Sequence, residues 1–119
     1  MNASMDYTAA RDLIASQQMV ARSDTLLGHL RQGKFPIPGQ ATSLLLALKT
    51  VYDHHRGQPQ LDRELITLLH QLAWESHVCF ETGTQSGVTW PPLLAEDLNR
   101  VAAAVQGIFA GVWPDIHHR

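Results

Sequence analysis

Residues 61–83, LDRELITLLHQLAWESHVCFETG, constrain this chain more than any other stretch. They form its longest uninterrupted run of helical spacing, and the run carries its own boundaries. Asp62 can accept hydrogen bonds from the free amides of a first turn, and Gly83 can take the left-handed conformation that closes a helix. Between them Leu65, Leu68, Leu69, Leu72, Ala73, Ser76, Cys79 and Phe80 recur every three or four residues, giving one broad apolar face. Glu64, Thr67, Gln71, Glu75 and Thr82 fall on the opposite, solvated side. A third stripe, Ile66, His70, Trp74, His77 and Glu81, flanks the core and is the best candidate for a contact face.

The rest of the chain reads as helices around this one. Residues 6–22 give a first helix with a weak stripe at Tyr7, Ala10, Leu13, Ile14 and Val20. Ser23-Asp24 reads as an N-cap restarting a short helix that Gly33 ends, and KFPIPGQ is an extended, proline-punctuated link. Residues 41–56 form the next helix, with Ala41, Leu44, Leu45, Leu48, Val51, Tyr52 and His55 on one face and Gly57 closing it. The short GQPQ loop then predicts antiparallel packing of this helix on the central one. Beyond the TQSGVTWPP loop, Pro92 suits the first turn of a last helix. Leu94, Leu98, Val101, Ala102, Val105, Ile108, Phe109 and Val112 give that helix the cleanest stripe in the chain, and Trp113-Pro114 stops it. The expected architecture is all-α: a four- to five-helix bundle in a single domain spanning 1–119, with an ordered core over about 6–113 and a frayed tail over 114–119.

Composition narrows the function classes. With 119 residues, 45% hydrophobic and 17% charged, the chain can bury a modest core without staples. A net charge of −2 gives no electrostatic basis for sequence-independent nucleic-acid binding. No stretch approaches the roughly 20 apolar residues of a membrane span. One cysteine excludes an internal disulfide, and the N-terminus lacks a basic region followed by an apolar run; the expected location is cytoplasmic. Asn2-Ala3-Ser4 matches a glycosylation sequon, which carries meaning only in a secreted chain.

Chemistry is sparse. Gly28 to Lys34 matches G-x-x-x-x-G-K, but Phe35 stands where a magnesium-binding hydroxyl must follow. The lead-in is helical and the exit is Pro36-Ile37-Pro38, so the phosphate-loop reading fails. His77 and Glu81 lie one helical turn apart, with His70 a heptad back. These three are the alternative metal set, set against the reading of surface histidines. His54 and His55, ending the preceding helix, would lie near the start of the central helix. Cys79 sits on the core face, where a free thiol is usually a small buried hydrophobe. Glu96-Asp97 complement the dipole at the start of the last helix. No complete catalytic motif exists and no cofactor is called for.

Two features point to recognition. Ala103, Gly107 and Gly111 recur every four residues on the last helix. Helical glycine costs about 1 kcal/mol against alanine, so a close backbone approach is expected, either within this chain or at a homodimer seam. Trp74 with Trp90, Pro91 and Pro92 could form a hydrophobic patch for a protein partner; the competing reading has Trp90 capping the core under its loop.

The segments PIPGQATSLLLALK, LDRELITLLHQLAWES and GVTWPPLLAEDLNRVA resemble a family of small cyanobacterial helical proteins without an established activity. Some of its members carry a dethiobiotin-synthetase label. The resemblance covers about residues 6–113 and implies a cytosolic or stromal setting. The ATP use that the label implies finds no phosphate loop here, and no catalytic residue carries over. The sequence therefore favours a non-catalytic interaction module, an adaptor or assembly factor. It would act through Ile66, His70, Trp74, His77, Glu81, Trp90, Pro91 and Pro92. The alternative is a small-molecule or metal-binding helical protein with an enzymatic role.

Overall fold

The computed structural model describes residues 5–115, in which five α-helices and no strand occur. They are α1 (Tyr7–Ser16), α2 (Leu26–Arg31), α3 (Gln40–His55), α4 (Arg63–Gln85) and α5 (Leu94–Ala110). The chain is all-α, as its periodicity predicts. The glycosylation sequon and residues 116–119 of the expected frayed tail lie outside the described residues.

The four longer helices close a ring: α1 packs on α3, α3 on α5, α5 on α4, and α4 on α1, with α2 outside against α4. The antiparallel α3–α4 pair expected from the short loop does not form as neighbours. The end of α3 and the start of α4 do share one end of the bundle, because α1 reaches both through Tyr7 to His55 and Arg11 to Asp62. The two helices face each other across the ring instead. Each turns a broad leucine face inward, Leu44, Leu48 and Val51 on α3 and Leu65, Leu69 and Leu72 on α4, all fully buried. Ile14 of α1 and Val101 of α5 complete the same cluster. Burial of this kind stabilises by roughly 1.5–3 kcal/mol per large apolar side chain.

Local chemistry sets the helix ends, and several differ from the sequence reading; α5, for one, starts at Leu94, beyond Pro92, and ends at Ala110 on Gly111 rather than at Trp113-Pro114. α1 stops at Ser16, six residues early. There Ser16 Oγ and Gln17 Nε2 both donate to the Leu13 carbonyl, at 2.6 and 3.2 Å. Gln17 Oε1 also accepts from the Leu27 amide at 3.1 Å, so this buried side chain ties the end of α1 to the start of α2. Val20, expected on the apolar stripe, is 88% exposed. The cap of α2 is Thr25, whose hydroxyl accepts from the Gly28 amide at 2.9 Å. Gly28 is itself inside α2, so the first half of the G-x-x-x-x-G-K segment is helix and the segment does not form a phosphate loop. On α4 the Asp62 cap forms as expected, accepting from the Leu65 amide at 2.8 Å. Gly83 does not end that helix. α4 continues to Gln85, and Gly87, at φ +98°, makes the left-handed turn.

One polar cluster pins the end of the bundle. Arg11 donates to both carboxylate oxygens of Asp62, at 2.9 and 3.0 Å, to Glu64 at 3.1 Å, and to the Tyr7 hydroxyl at 3.0 Å. Tyr7 is bonded in turn to His55 Nε2 at 2.8 Å and stacks on the His54 ring at 3.8 Å. Arg11, with the Leu65 amide second, holds the Asp62 carboxyl down at about 2, against an ordinary 3.8. A depressed carboxylate contributes stability above its unfolded value and loses it as pH falls through its folded one. Losing both cap and ion pair in Asp62→Ala should cost about 1–2 kcal/mol near neutrality, since the pair is half in solvent. In urea melts the gap between wild type and variant should narrow as pH falls from about 4 to about 2; a pH-independent gap contradicts this account.

Candidate interaction surface

The solvent face of α4 follows from what covers its other sides. α5 and α2 pack along the helix, and α1 reaches its start. Arg31 of α2 donates to Glu75 at 2.7 Å, fixing that flank. The uncovered side includes the stripe Ile66, His70, Trp74, His77 and Glu81, beside Thr67, Gln71 and Val78. All five stripe residues are exposed, Trp74 at 60%. A tryptophan carries roughly 150–250 Å² of buriable surface. Covering the open part of Trp74 would therefore yield roughly 2–4 kcal/mol before association costs.

Beside this stripe a groove runs between α4 and α5. Ala73, Phe80 and Leu98 lie in it with His77 and Glu81 of α4, and Ala95, Asn99 and Ala102 line it from α5. Its volume is about 150 Å³, below the roughly 300–1,000 Å³ that encloses a drug-sized ligand. It suits one inserted side chain. Two of the four α5 residues that line it, Ala95 and Ala102, are alanines.

The structure separates the remaining predicted contact residues from this face. Trp90 is buried, 9% exposed, with its indole N–H donating to the Phe80 carbonyl at 3.0 Å and its ring stacked on Phe80. Gly83 makes this geometry available, since a Cβ there would overlap the indole. Phe80 and Gly83 lie six and nine residues beyond Trp74, roughly 9–14 Å along the axis, so the two tryptophans do not form one patch. Pro91 is half-buried, and Pro92 is exposed in the turn before α5. Ala103, half-buried, packs against the core. A Cβ on Gly107 would lie 2.5 Å from Pro114 Cδ and 2.7 Å from the Val112 carbonyl oxygen. Gly111, at φ +76°, caps α5. This chain's own C-terminal segment therefore makes the close approach that the glycine spacing anticipates.

Other clefts offer less chemistry. One of about 340 Å³ lies between the end of α1 and the start of α3, where Arg22 is already paired with Asp24 at 2.9 Å. Another, of about 360 Å³, runs past Cys79, Leu30, Thr82 and Val88. Burial pushes the Cys79 thiol up, which disfavours the nucleophilic thiolate. A third, about 250 Å³, lies by Tyr52 and His55. Of the Tyr7–Arg11 cluster, His55 borders the third cleft, and the cluster's polar groups are engaged with one another. The sequence showed no signal for Arg11, whose carboxylate partners are 51 and 53 positions away. Among the described residues no three His, Cys, Asp or Glu side chains of one chain converge on a metal position, and no helix is long and apolar enough to cross a membrane.

No family model, curated protein or solved structure matches this chain.

Proposed function

We propose that this protein is a non-catalytic interaction module, an adaptor or assembly factor, whose docking surface is the solvent face of α4. The observation that carries this reading is Trp74, a 60% exposed indole on the longest helix of the bundle. It is flanked by Ile66, His70, His77 and Glu81 and lies one residue from the groove lined by Ala73. Large aromatics held on a rigid helix are the side chains that concentrate binding energy at interfaces.

The test is affinity capture from the lysate of the source cell, comparing wild type, Trp74→Ala and Val20→Ala. Val20 is more exposed than Trp74 and lies off α4. Trp74→Ala should leave thermal stability within about 0.5 kcal/mol of wild type, as surface substitutions do. A partner should remain with wild type and Val20→Ala and be lost from Trp74→Ala by about 30-fold or more, the scale of a 2 kcal/mol hot spot. Equal retention by all three would remove α4 as the docking surface.

A further inference from the structure

Residues 64–99 supply most of the groove between α4 and α5. They carry five carboxylates, Glu64, Glu75, Glu81, Glu96 and Asp97, and no lysine or arginine. Four of the five are neutralised from outside this stretch: Glu64 by Arg11, Glu75 by Arg31, and Glu96 and Asp97 by Arg100. Among the described residues Glu81 alone of the five has no cation partner. Its side chain lines the groove with those of His77 and Asn99, which likewise make no hydrogen bond among the described residues. Along α4 the nearest arginine or lysine is Arg63, roughly 27 Å away at 1.5 Å per residue. Arg100 follows Asn99 but lies about 100° from it around α5, where Glu96 and Asp97 hold it. The groove therefore presents one uncompensated negative charge above an apolar floor.

We infer that this groove receives an arginine side chain from a basic segment of a protein partner, with Glu81 as its counter-ion. The two kinds of lining match the two parts of that side chain. Phe80, Leu98 and Ala102 offer apolar surface to the aliphatic stem, which such residues lay along apolar walls while the charged head stays at the water boundary. Glu81 can accept two parallel N–H bonds from the guanidinium, and the Asn99 side-chain carbonyl can accept a third. A lysine ammonium is a point charge without that fork, so the acceptor set favours arginine. An acidic side chain in the same place would meet Glu81 with like charge, and a purely apolar one would cover the carboxylate without pairing it. The volume of about 150 Å³ holds the site to one side chain. Trp74 lies about 10.5 Å along α4 from Glu81, and its neighbour Ala73 also lines the groove. A segment anchored at Glu81 thus has the indole within reach of its neighbouring residues, which joins a charged anchor to the aromatic one.

This inference rests on α4 being the docking surface, and the experiment separates the two claims. The full chain, labelled with nitrogen-15, is titrated with N-acetyl-arginine amide, and separately with the lysine, norleucine and glutamate amides, while its amide resonances are followed. The arginine probe should move the resonances of residues around Glu81 and Asn99 and bind about fivefold or more tighter than norleucine, whose stem carries no charge. Glu81→Gln, a substitution at an exposed position, should abolish that advantage, and Asp12→Asn, an exposed carboxylate on α1, should keep it. Raising the salt concentration should weaken the arginine probe and leave norleucine unchanged. Equal binding of arginine and norleucine, shifts centred away from the groove, or an advantage that survives in Glu81→Gln overturns the inference. A lysine probe as tight as arginine overturns the assignment to arginine, and a glutamate probe as tight as arginine overturns the charge argument. If the arginine probe fails while Trp74→Ala still loses a captured partner, the groove assignment falls and the docking surface stands.

Discussion

Trp90→Ala should lower the stability of this protein by about 3–5 kcal/mol, the range for removing a buried aromatic. Small domains hold about 5–15 kcal/mol in total, so the variant should be partly unfolded well below the wild-type midpoint. Four interactions disappear together. The indole ring leaves its stack on Phe80 and its contact with Phe35, whose centroid lies 6.3 Å away. The bond from Nε1 to the Phe80 carbonyl is lost, and so is the filling of the space above Gly83. Trp90→Phe should recover part of the loss, since the ring returns without the N–H donor. Urea melts followed by far-ultraviolet circular dichroism measure both. A Trp90→Ala cost under about 1 kcal/mol would mean that the loop is not packed as described.

This tryptophan also shows where the sequence could be read and where it could not. The helices and their apolar stripes were legible because periodicity is local: Leu65, Leu69 and Leu72 declare a buried face without reference to anything else in the chain. The Asp62 cap was legible for the same reason, its acceptor and the Leu65 amide being three residues apart. Gly83 was misleading. As a glycine at the end of an apolar run it resembles a helix terminator. Its actual reason is the indole seven positions later, and the left-handed role falls to Gly87. Ring order was equally hidden, because the loop between α3 and α4 sets their relative direction but not which helices lie between them. Helical spacing placed Ile66, His70, Trp74, His77 and Glu81 together on one flank of the core stripe but left open whether they are exposed, because that depends on which helices pack beside α4. The position of Trp90 inside the core depended on a tertiary contact, and so did the Arg11 cluster.

Gly107→Ala should destabilise the protein by about 1–3 kcal/mol, against the sign that helix propensity predicts. In an open helix this substitution would gain about 1 kcal/mol. Here the new methyl would lie 2.5 Å from Pro114 Cδ and 2.7 Å from the Val112 carbonyl oxygen, and the latter is backbone that cannot rotate away. The segment after α5 must therefore shift. With it go the bond from the Tyr52 hydroxyl to the Gly111 carbonyl, at 3.3 Å, and the packing of Trp113 on Tyr52, whose centroids lie 5.3 Å apart. Concentration dependence separates this internal role from the seam suggested by Ala103, Gly107 and Gly111. If the glycines serve packing within the chain, the loss should be the same in dilute and concentrated samples. A loss that appears only at high concentration, with the dilute protein stabilised by the alanine, would return Gly107 to a surface shared between copies. Trp113 offers a direct readout, because freeing it from Tyr52 should shift its emission to longer wavelength before the helices unfold.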